Sequence, residues 1–456
     1  MTSPASVLCY NKNESSVSKS WNPGVTHAVR TDVGMRRTNN QDSYCVIEAQ
    51  SEERFSTLGH LYVVADGMGA HAAGELASQM ATELIPMHYF RGSADQPASS
   101  LHRAVFNANH EIHQRGQQNP EFHSMGTTAS SLLLLENGGV VAHVGDSRVY
   151  RLRQGVLEQL TFDHSLVWEV QASGHVHPGS ALGQSLPKNV ITRSLGPNAK
   201  VKIDMEGPFP VHSGDRFLLC SDGLTGQVED EEIATLMDCL SEELVSEVLV
   251  DLANLRGGPD NTTVIIATVN NGQVVGSAAN VPKSSAAQRD PRLLWGAVAS
   301  SSIFVLSFII AVIAAVQKSE SLLGFAMIVV LVSGVVAATL IASQMSGKKK
   351  PRSNGDGPEV TPPMGGKGPY RRYHSKPDRT LFDRLGSTVD DLRNAANAKN
   401  WSIDWREIDQ LQAKGLGAIE ANDGKTAIRF QAEAIVQTMY QLRQQHNRSA
   451  GETAIE

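Results

Sequence analysis

Two uncharged runs, Leu293–Val316 and Ser321–Ser343, constrain this chain more than any other feature, and only Gln317-Lys318-Ser319-Glu320 separates them. A helix of about 23 residues is about 35 Å long, enough to cross a hydrocarbon core of about 30 Å. Two such runs without a single charge suit lipid better than a protein core, so a transmembrane helical hairpin is expected over residues 292–344. Arg289 and Arg292 precede it, Lys348, Lys349, Lys350 and Arg352 follow it, and the intervening loop carries only Lys318. Positive flanks stay on the cytoplasmic side. Both large flanking parts are therefore expected to face the cytoplasm from the cytoplasmic (inner) membrane.

The hairpin divides the chain into pieces. Residues 1–24 are rich in Ser and Asn and lack the apolar run of a signal peptide, so they read as a flexible lead-in. Residues 25–270 have mixed patterning, and residues 271–291 are small and polar, as in a linker. Residues 345–370, rich in Gly, Pro and Lys, are expected to form a disordered tether. In residues 371–456, Trp405, Ile408 and Leu411, and then Ile428, Ala432, Ile435, Met439 and Leu442, keep three-to-four spacing on either side of Gly424. This pattern predicts a small helical segment, with a Ser/Thr kinase or another protein as its expected partner.

The net charge of −7 offers no basic surface to a nucleic acid and argues against that class of partner. Cys9, Cys45, Cys220 and Cys239 are scattered and form no C-x-x-C pair, which excludes the usual zinc and disulfide frameworks. Reduced, mostly buried thiols agree with a cytoplasmic setting.

Within residues 25–270, short apolar runs occur at Leu61–Ala65, Leu132–Leu135, Val140–Val144, Phe217–Cys220 and Val264–Val269. Gly, Asn or Asp bound several of them, and Asn137-Gly138-Gly139 reads as a hairpin turn between two. Helical periodicity appears over Ala73–Phe90, Leu101–Arg115 and Glu242–Leu255. Strand runs cluster in consecutive pairs, which favours an antiparallel α+β arrangement over repeated βαβ units.

The chemistry is carried by aspartates. Asp42, Asp66, Asp146, Asp222 and Asp260 each stand at a strand end or in a turn rich in Gly or Asn. Carboxylates gathered at strand ends repel one another and are costly to bury unpaired. Divalent cations with oxygen ligands, Mg²⁺ or Mn²⁺, remove both penalties. Glycine after the aspartate, as at Gly67, lets backbone approach an ion closely. Asp32, Asp163, Asp204 and Asp215 read instead as turn, cap or surface residues.

These segments resemble the PPM family of metal-dependent protein phosphatases, also called type 2C. The carrying motifs are RTNNQD, VVADGMGAHAAGELAS, MGTTASS, VAHVGDSRVYRL, ITRSLG, LLCSDGL and GGPDNTTVI, which run in family order from about residue 25 to 269. The DGMG-x-H form resembles the bacterial branch. The resemblance implies a sandwich of two antiparallel β-sheets flanked by helices, with two metal ions at one end. It implies that Asp66 bridges the two metals, that the Gly67 carbonyl binds one, and that Asp222 and Asp260 ligate the other. Asp42 is expected to hold metal-bound water, Asp146 to serve a third, weaker ion together with Asp222, and Arg37 to bind phosphate. The implied reaction is hydrolysis of phosphoserine and phosphothreonine by a metal-bridging hydroxide, with Mg or Mn as cofactor and phosphorylated proteins as substrates. The alternative reading is a membrane-bound receptor or scaffold that binds phosphoproteins with weak or no catalysis.

Three positions depart from the family pattern. Gln41 stands where many members have Glu, Met68 where eukaryotic members place a general-acid His, and Ala70 where a Gly is usual before His71. His164–Pro197 corresponds to the family's flap, a loop expected to shape peptide access.

Overall fold

The computed structural model describes residues 21–69, 72–93, 96–173, 180, 185–187, 190–270 and 366–453, with side chains described up to residue 444 in the last helix. The membrane hairpin expected at 292–344 lies outside the described residues, as do the linker at 271–291, residues 345–365 of the expected tether, and residues 1–20. Among the described residues, no helix is long and apolar enough to cross a membrane.

The strands are β1 (Val25–Asp32), β2 (Asp42–Ile47), β3 (His60–Met68), β4 (Gly126–Thr127), β5 (Ala129–Leu135), β6 (Gly138–Val144), β7 (Arg148–Arg153), β8 (Val156–Gln159), β9 (Asp204–Phe209), β10 (Arg216–Cys220), β11 (Thr262–Val269) and β12 (Arg371–His374). The main helices are α1 (Glu52–Leu58), α2 (Ala73–Phe90), α3 (Pro97–Gln118), α4 (Leu166–Ala172), α5 (Asp222–Thr225), α6 (Asp230–Cys239), α7 (Glu242–Leu255), α8 (Arg379–Ala398), α9 (Trp405–Glu420) and α10 (Gly424–Thr453). One sheet runs β1-β11-β10-β7-β8-β12; the other runs β2-β3-β5-β6-β9, with β4 paired to β3. The pairings between these strands are antiparallel.

The apolar strand runs are continuous because both faces of each sheet are covered. Tyr62 and Val64 of β3, Leu132 and Leu134 of β5, Phe217 and Leu219 of β10, and Ile265 and Ala267 of β11 meet between the sheets. The alternate residues point outward. Leu61, Val63 and Leu133 pack under α2 and α3, whereas Leu218, Val264 and Ile266 pack under α6 and α7. The predicted runs and helices all appear here, and α2 and α7 keep their predicted bounds. β1, β2, β7, β8 and β9 were not foreseen, being short or interrupted by polar residues.

The carboxy-terminal segment departs from expectation. It opens with strand β12, which pairs with β8 in the register Arg371↔Gln159 to His374↔Val156. Just before it, in the expected tether, the Tyr370 hydroxyl donates to Glu206 Oε1 at 2.5 Å and the Gly368 N–H donates to Glu206 Oε2 at 3.0 Å. Leu381, Phe382 and Leu385 of α8, Ile408 of α9, and Ile428 and Ile435 of α10 join the same buried cluster as Val245, Val248 and Leu249 of α7. The segment therefore belongs to one compact unit with the sandwich. The physical reason is that its apolar stripe packs onto the apolar residues of α6 and α7, while β12 extends the sheet through β8. Trp21, expected in the flexible lead-in, is also anchored: its ring N–H donates to Ala49 O at 2.9 Å and its ring lies beside Phe55.

Candidate active site

The two sheets end together at one edge of the sandwich, and the five aspartates gather there. Asp42 opens β2 and Asp66 lies near the end of β3, and the two are cross-strand partners. Asp222 follows β10, and Asp260 precedes β11 by two residues. Asp146 sits in the connection from β6 to β7, which carries the chain between sheets; Gly145 there has φ +115°, a conformation open to glycine.

Backbone and small side chains hold this edge. The Thr127 hydroxyl and the Thr128 N–H donate to Asp66 O at 2.9 and 2.8 Å, and the Asp66 N–H donates to Thr128 Oγ1 at 2.9 Å. The Ser221 hydroxyl donates to Asp42 Oδ2 at 2.7 Å and accepts from the Thr263 N–H at 2.9 Å, which joins the two sheets. Asn261 accepts from the Gln41 N–H at 2.8 Å and donates to Val33 O and Asn39 O at 2.9 and 3.0 Å. Gly67 donates its N–H to Gln41 O at 3.0 Å, and a Cβ there would lie 2.0 Å from Gly74 O. Only glycine lets β3 approach the first turn of α2 so closely.

Arg37 lies at the rim, half-exposed, with Nη2 donating to Asp260 Oδ2 at 2.8 Å. The charges within the rim are unbalanced. Burial pushes the Asp42 carboxyl up to about 7, helped by the nearby charges of Asp222 and Asp260 and opposed by the Ser221 and Thr263 hydrogen bonds. Burial and the Asp222 charge push Asp146 up to about 8. Asp66 is pushed well above the carboxylate range by burial and by Asp42, Asp222, Asp146 and Asp260, and Asp222 is raised by burial and by Asp260.

Asp42 Oδ1, Asp146 Oδ1 and Asp222 Oδ1 are buried without a hydrogen-bond partner. Among the described residues, no three His, Cys, Asp or Glu side chains form a metal cage ready-made from side chains alone. Asp66 does lie within hydrogen-bond reach of Asp222. Buried, unsatisfied carboxylate oxygens fit a hard divalent cation that completes its shell with water and backbone carbonyls.

The sequence reading is corrected at two other aspartates. Asp163 and Asp215, expected in turns, caps or at the surface, are 3% and 1% exposed, although Asp215 does close a turn, its Oδ2 accepting from the His212 N–H at 2.8 Å. Asp163 accepts from Arg148 Nε at 2.9 Å and Nη2 at 2.8 Å, and Asp215 pairs with Arg153 at 2.5 Å. Arg148 and Arg153, at the two ends of β7, neutralise them, and nothing in the local pattern around either aspartate names those partners. Ser221, Thr128 and Asn261 were likewise missed as individual residues, although each stands beside or within a motif already singled out. Ala70 and His71, and residues 174–179, 181–184 and 188–189 of the flap, lie outside the described residues.

Comparison with known proteins agrees with this geometry. The family model described as Protein phosphatase 2C matches residues 36–253. The serine/threonine phosphatase stp of Listeria innocua is 36% identical over 248 residues, 53% of this chain and 94% of that protein. The protein phosphatase PhpP of Streptococcus pneumoniae is 36% identical over 248 residues, 53% of this chain and 96% of its own length. Among solved structures, the Mycobacterium tuberculosis serine/threonine phosphatase PstP/Ppp is 34% identical over 54% of this chain and 99% of that one, with a TM-score of 0.47. The PstP catalytic domain in complex with two manganese ions is 33% identical over the same 54% of this chain and 99% of its own, with a TM-score of 0.46. With relatives 36% identical over nearly their whole length, the chain belongs to the protein phosphatase 2C family of serine/threonine phosphatases.

Proposed function

We propose that this chain hydrolyses phosphoserine and phosphothreonine in proteins, using Mg²⁺ or Mn²⁺ held at the aspartate edge. The observation that carries this reading is the set of buried, partnerless carboxylate oxygens on Asp42, Asp146 and Asp222 beside Arg37. In this reading Asp66 and the Gly67 carbonyl would be among the groups that hold the ions. Asp222, Asp260 and Asp146 would supply further carboxylate ligands. When bound, divalent cations supply Lewis acidity and a water nucleophile at neutral pH.

The protein's own groups do the rest. Arg37 presents a planar fork to the phosphoryl oxygens, a geometry that lysine cannot reproduce. Asp260, its present partner, keeps the guanidinium at the rim until a phosphate takes its place. Asp42, oriented by Ser221, offers its free Oδ1 to orient the attacking water. Gln41 keeps an oxygen donor at the edge while removing one negative charge from a crowded site.

Membrane tethering through residues 292–344, with catalytic unit and carboxy terminus cytoplasmic, belongs to the same proposal. Its support is the pair of uncharged runs and their positive flanks. The test is full-length protein in detergent or bilayer discs with a phosphothreonine peptide and Mn²⁺. Phosphate release is expected, and EDTA abolishes it. Release that survives exhaustive chelation would sink the mechanism.

A further inference from the structure

We infer that Arg443, on the carboxy-terminal helix α10, is a positioning residue for the phosphate-binding rim: by drawing Asp32 and Asp251 together it sets the loop bearing Arg37 against the loop bearing Asp260. The inference rests on the reading of Arg37 given above.

The two loops are stitched to each other by backbone. Asp32 ends β1, and its Oδ1 accepts from the Gly34 N–H at 2.8 Å. Gly34 has φ +81°, and a Cβ on it would lie 2.3 Å from Asp260 O. The Met35 and Arg36 N–H groups donate to Gly258 O at 2.8 and 3.2 Å. Arg37 then reaches Asp260 at 2.8 Å. The second loop leaves the end of α7, the helix that carries Asp251.

Arg443 contacts the base of both loops. Its Nη2 donates to Asp251 Oδ1 and lies 4.0 Å from Asp32 Oδ2. Asp251 is fully buried, its second oxygen has no hydrogen-bond partner, and its acidic neighbours are Glu247 and Asp32. Glu247 pairs with Arg30 at 3.1 Å. Arg443 is the cation placed between Asp32 and Asp251. Without it, Asp251 is left buried with both oxygens unpaired, and the contact that ties Asp32 at the end of β1 to α7, where the two rim loops begin, is lost. The family match ends at residue 253, so this cation comes from a part of the chain outside it.

The test uses the full-length protein. Arg443→Met is expected to raise both the KM for a phosphothreonine peptide and the Ki of inorganic phosphate about three- to tenfold, with a smaller change in kcat. In hydrogen exchange, the Met35 and Arg36 amides are expected to exchange faster. In an Arg37→Ala background, Arg443→Met is expected to cost less than about twofold more, because both changes act on one contact. Arg443→Lys, which keeps the charge, should recover most of the affinity. Asp32→Asn keeps the Gly34 turn and removes only the charge facing Arg443; it should shift Ki in the same direction by about twofold. That variant decides the matter if Arg443→Met fails to fold. Unchanged Ki and unchanged exchange at Met35 and Arg36, or full additivity with Arg37→Ala, would overturn the inference. Wild-type protein that releases no phosphate with Mn²⁺ would instead refute the phosphatase reading, and the exchange experiment would still judge the Arg443 link.

Discussion

Asp42 and Asp66 stand directly opposite each other across β2 and β3, two half-buried carboxylates paired at the edge where the two sheets end. Like charges so placed destabilise a sheet. The protein keeps them, and adds Asp146 and Asp222 with unsatisfied oxygens close by. Stability is thus given up locally for a site that a cation completes.

Asp66→Asn tests that trade directly. It replaces a carboxyl that folding holds well above its usual range and forces to take up a proton, so the metal-free protein is expected to gain about 1–2 kcal/mol at neutral pH and melt a few degrees higher. Its kcat should fall about a thousandfold or more. Thermal melts in EDTA and with Mn²⁺ check both halves. Mn²⁺ should raise the melting temperature of wild type and raise that of the variant much less.

The pH dependence of metal-free protein follows from the raised carboxylates. Burial and neighbouring carboxylates push Asp42 up to about 7 and Asp146 up to about 8 in the folded protein, against about 4 for an unfolded chain. Between these values the folded state binds more protons than the unfolded one, so stability falls as pH rises. Asp251, raised to about 7, adds in the same direction. Urea midpoints measured in EDTA should therefore decline from about pH 5 to about pH 8. Cation affinity should rise over the same interval, because ligation requires the deprotonated carboxylates.

Ile435→Ala probes the docking of the carboxy-terminal helices. Ile435 is fully buried in a cluster with Val248 and Leu249 of α7. Loss of its side chain should cost about 2–5 kcal/mol. Because the cluster is shared, the sandwich and the tail should unfold together, as fluorescence and circular dichroism melts with coincident midpoints. Separate transitions would show that the tail is an independent module.

Asn261→Ala removes three hydrogen bonds that tie Gln41, Val33 and Asn39 to the start of β11. The cost should be about 2–3 kcal/mol in stability, with the backbone groups of the Arg37 loop left to find water. Activity should fall about tenfold, mainly through KM, since Arg37 loses its fixed approach. Steady-state kinetics with phosphothreonine peptide separates this from a simple loss of folded protein.

Much of the fold was legible because it is local. Short continuous apolar runs and helix spacing near 3.6 are written into β3, β5, β11, α2 and α7 as patterns of neighbouring residues. Aspartates at the ends of those runs also announced the site, since Asp-Gly and Asp-Asn pairs at strand ends carry their own chemistry. β12 escaped because Arg371 to His374 is a polar edge strand whose identity depends on β8 being present. The burial of Asp163 and Asp215 escaped for a related reason: an aspartate in a polar stretch looks solvated until folding seals it beside Arg148 or Arg153.

By itself, then, the sequence determined which segments extend, which coil and which carboxylates close strands, because those properties depend on spacing along the chain. The stacking of the two sheets decided what those carboxylates face. It joined Ser221 to Asp42 and Asn261 to Gln41, and the tail's own packing brought Arg443 to Asp251 from 192 residues away. Burial and charge pairing are properties of position in space, and only the packed layers assign them.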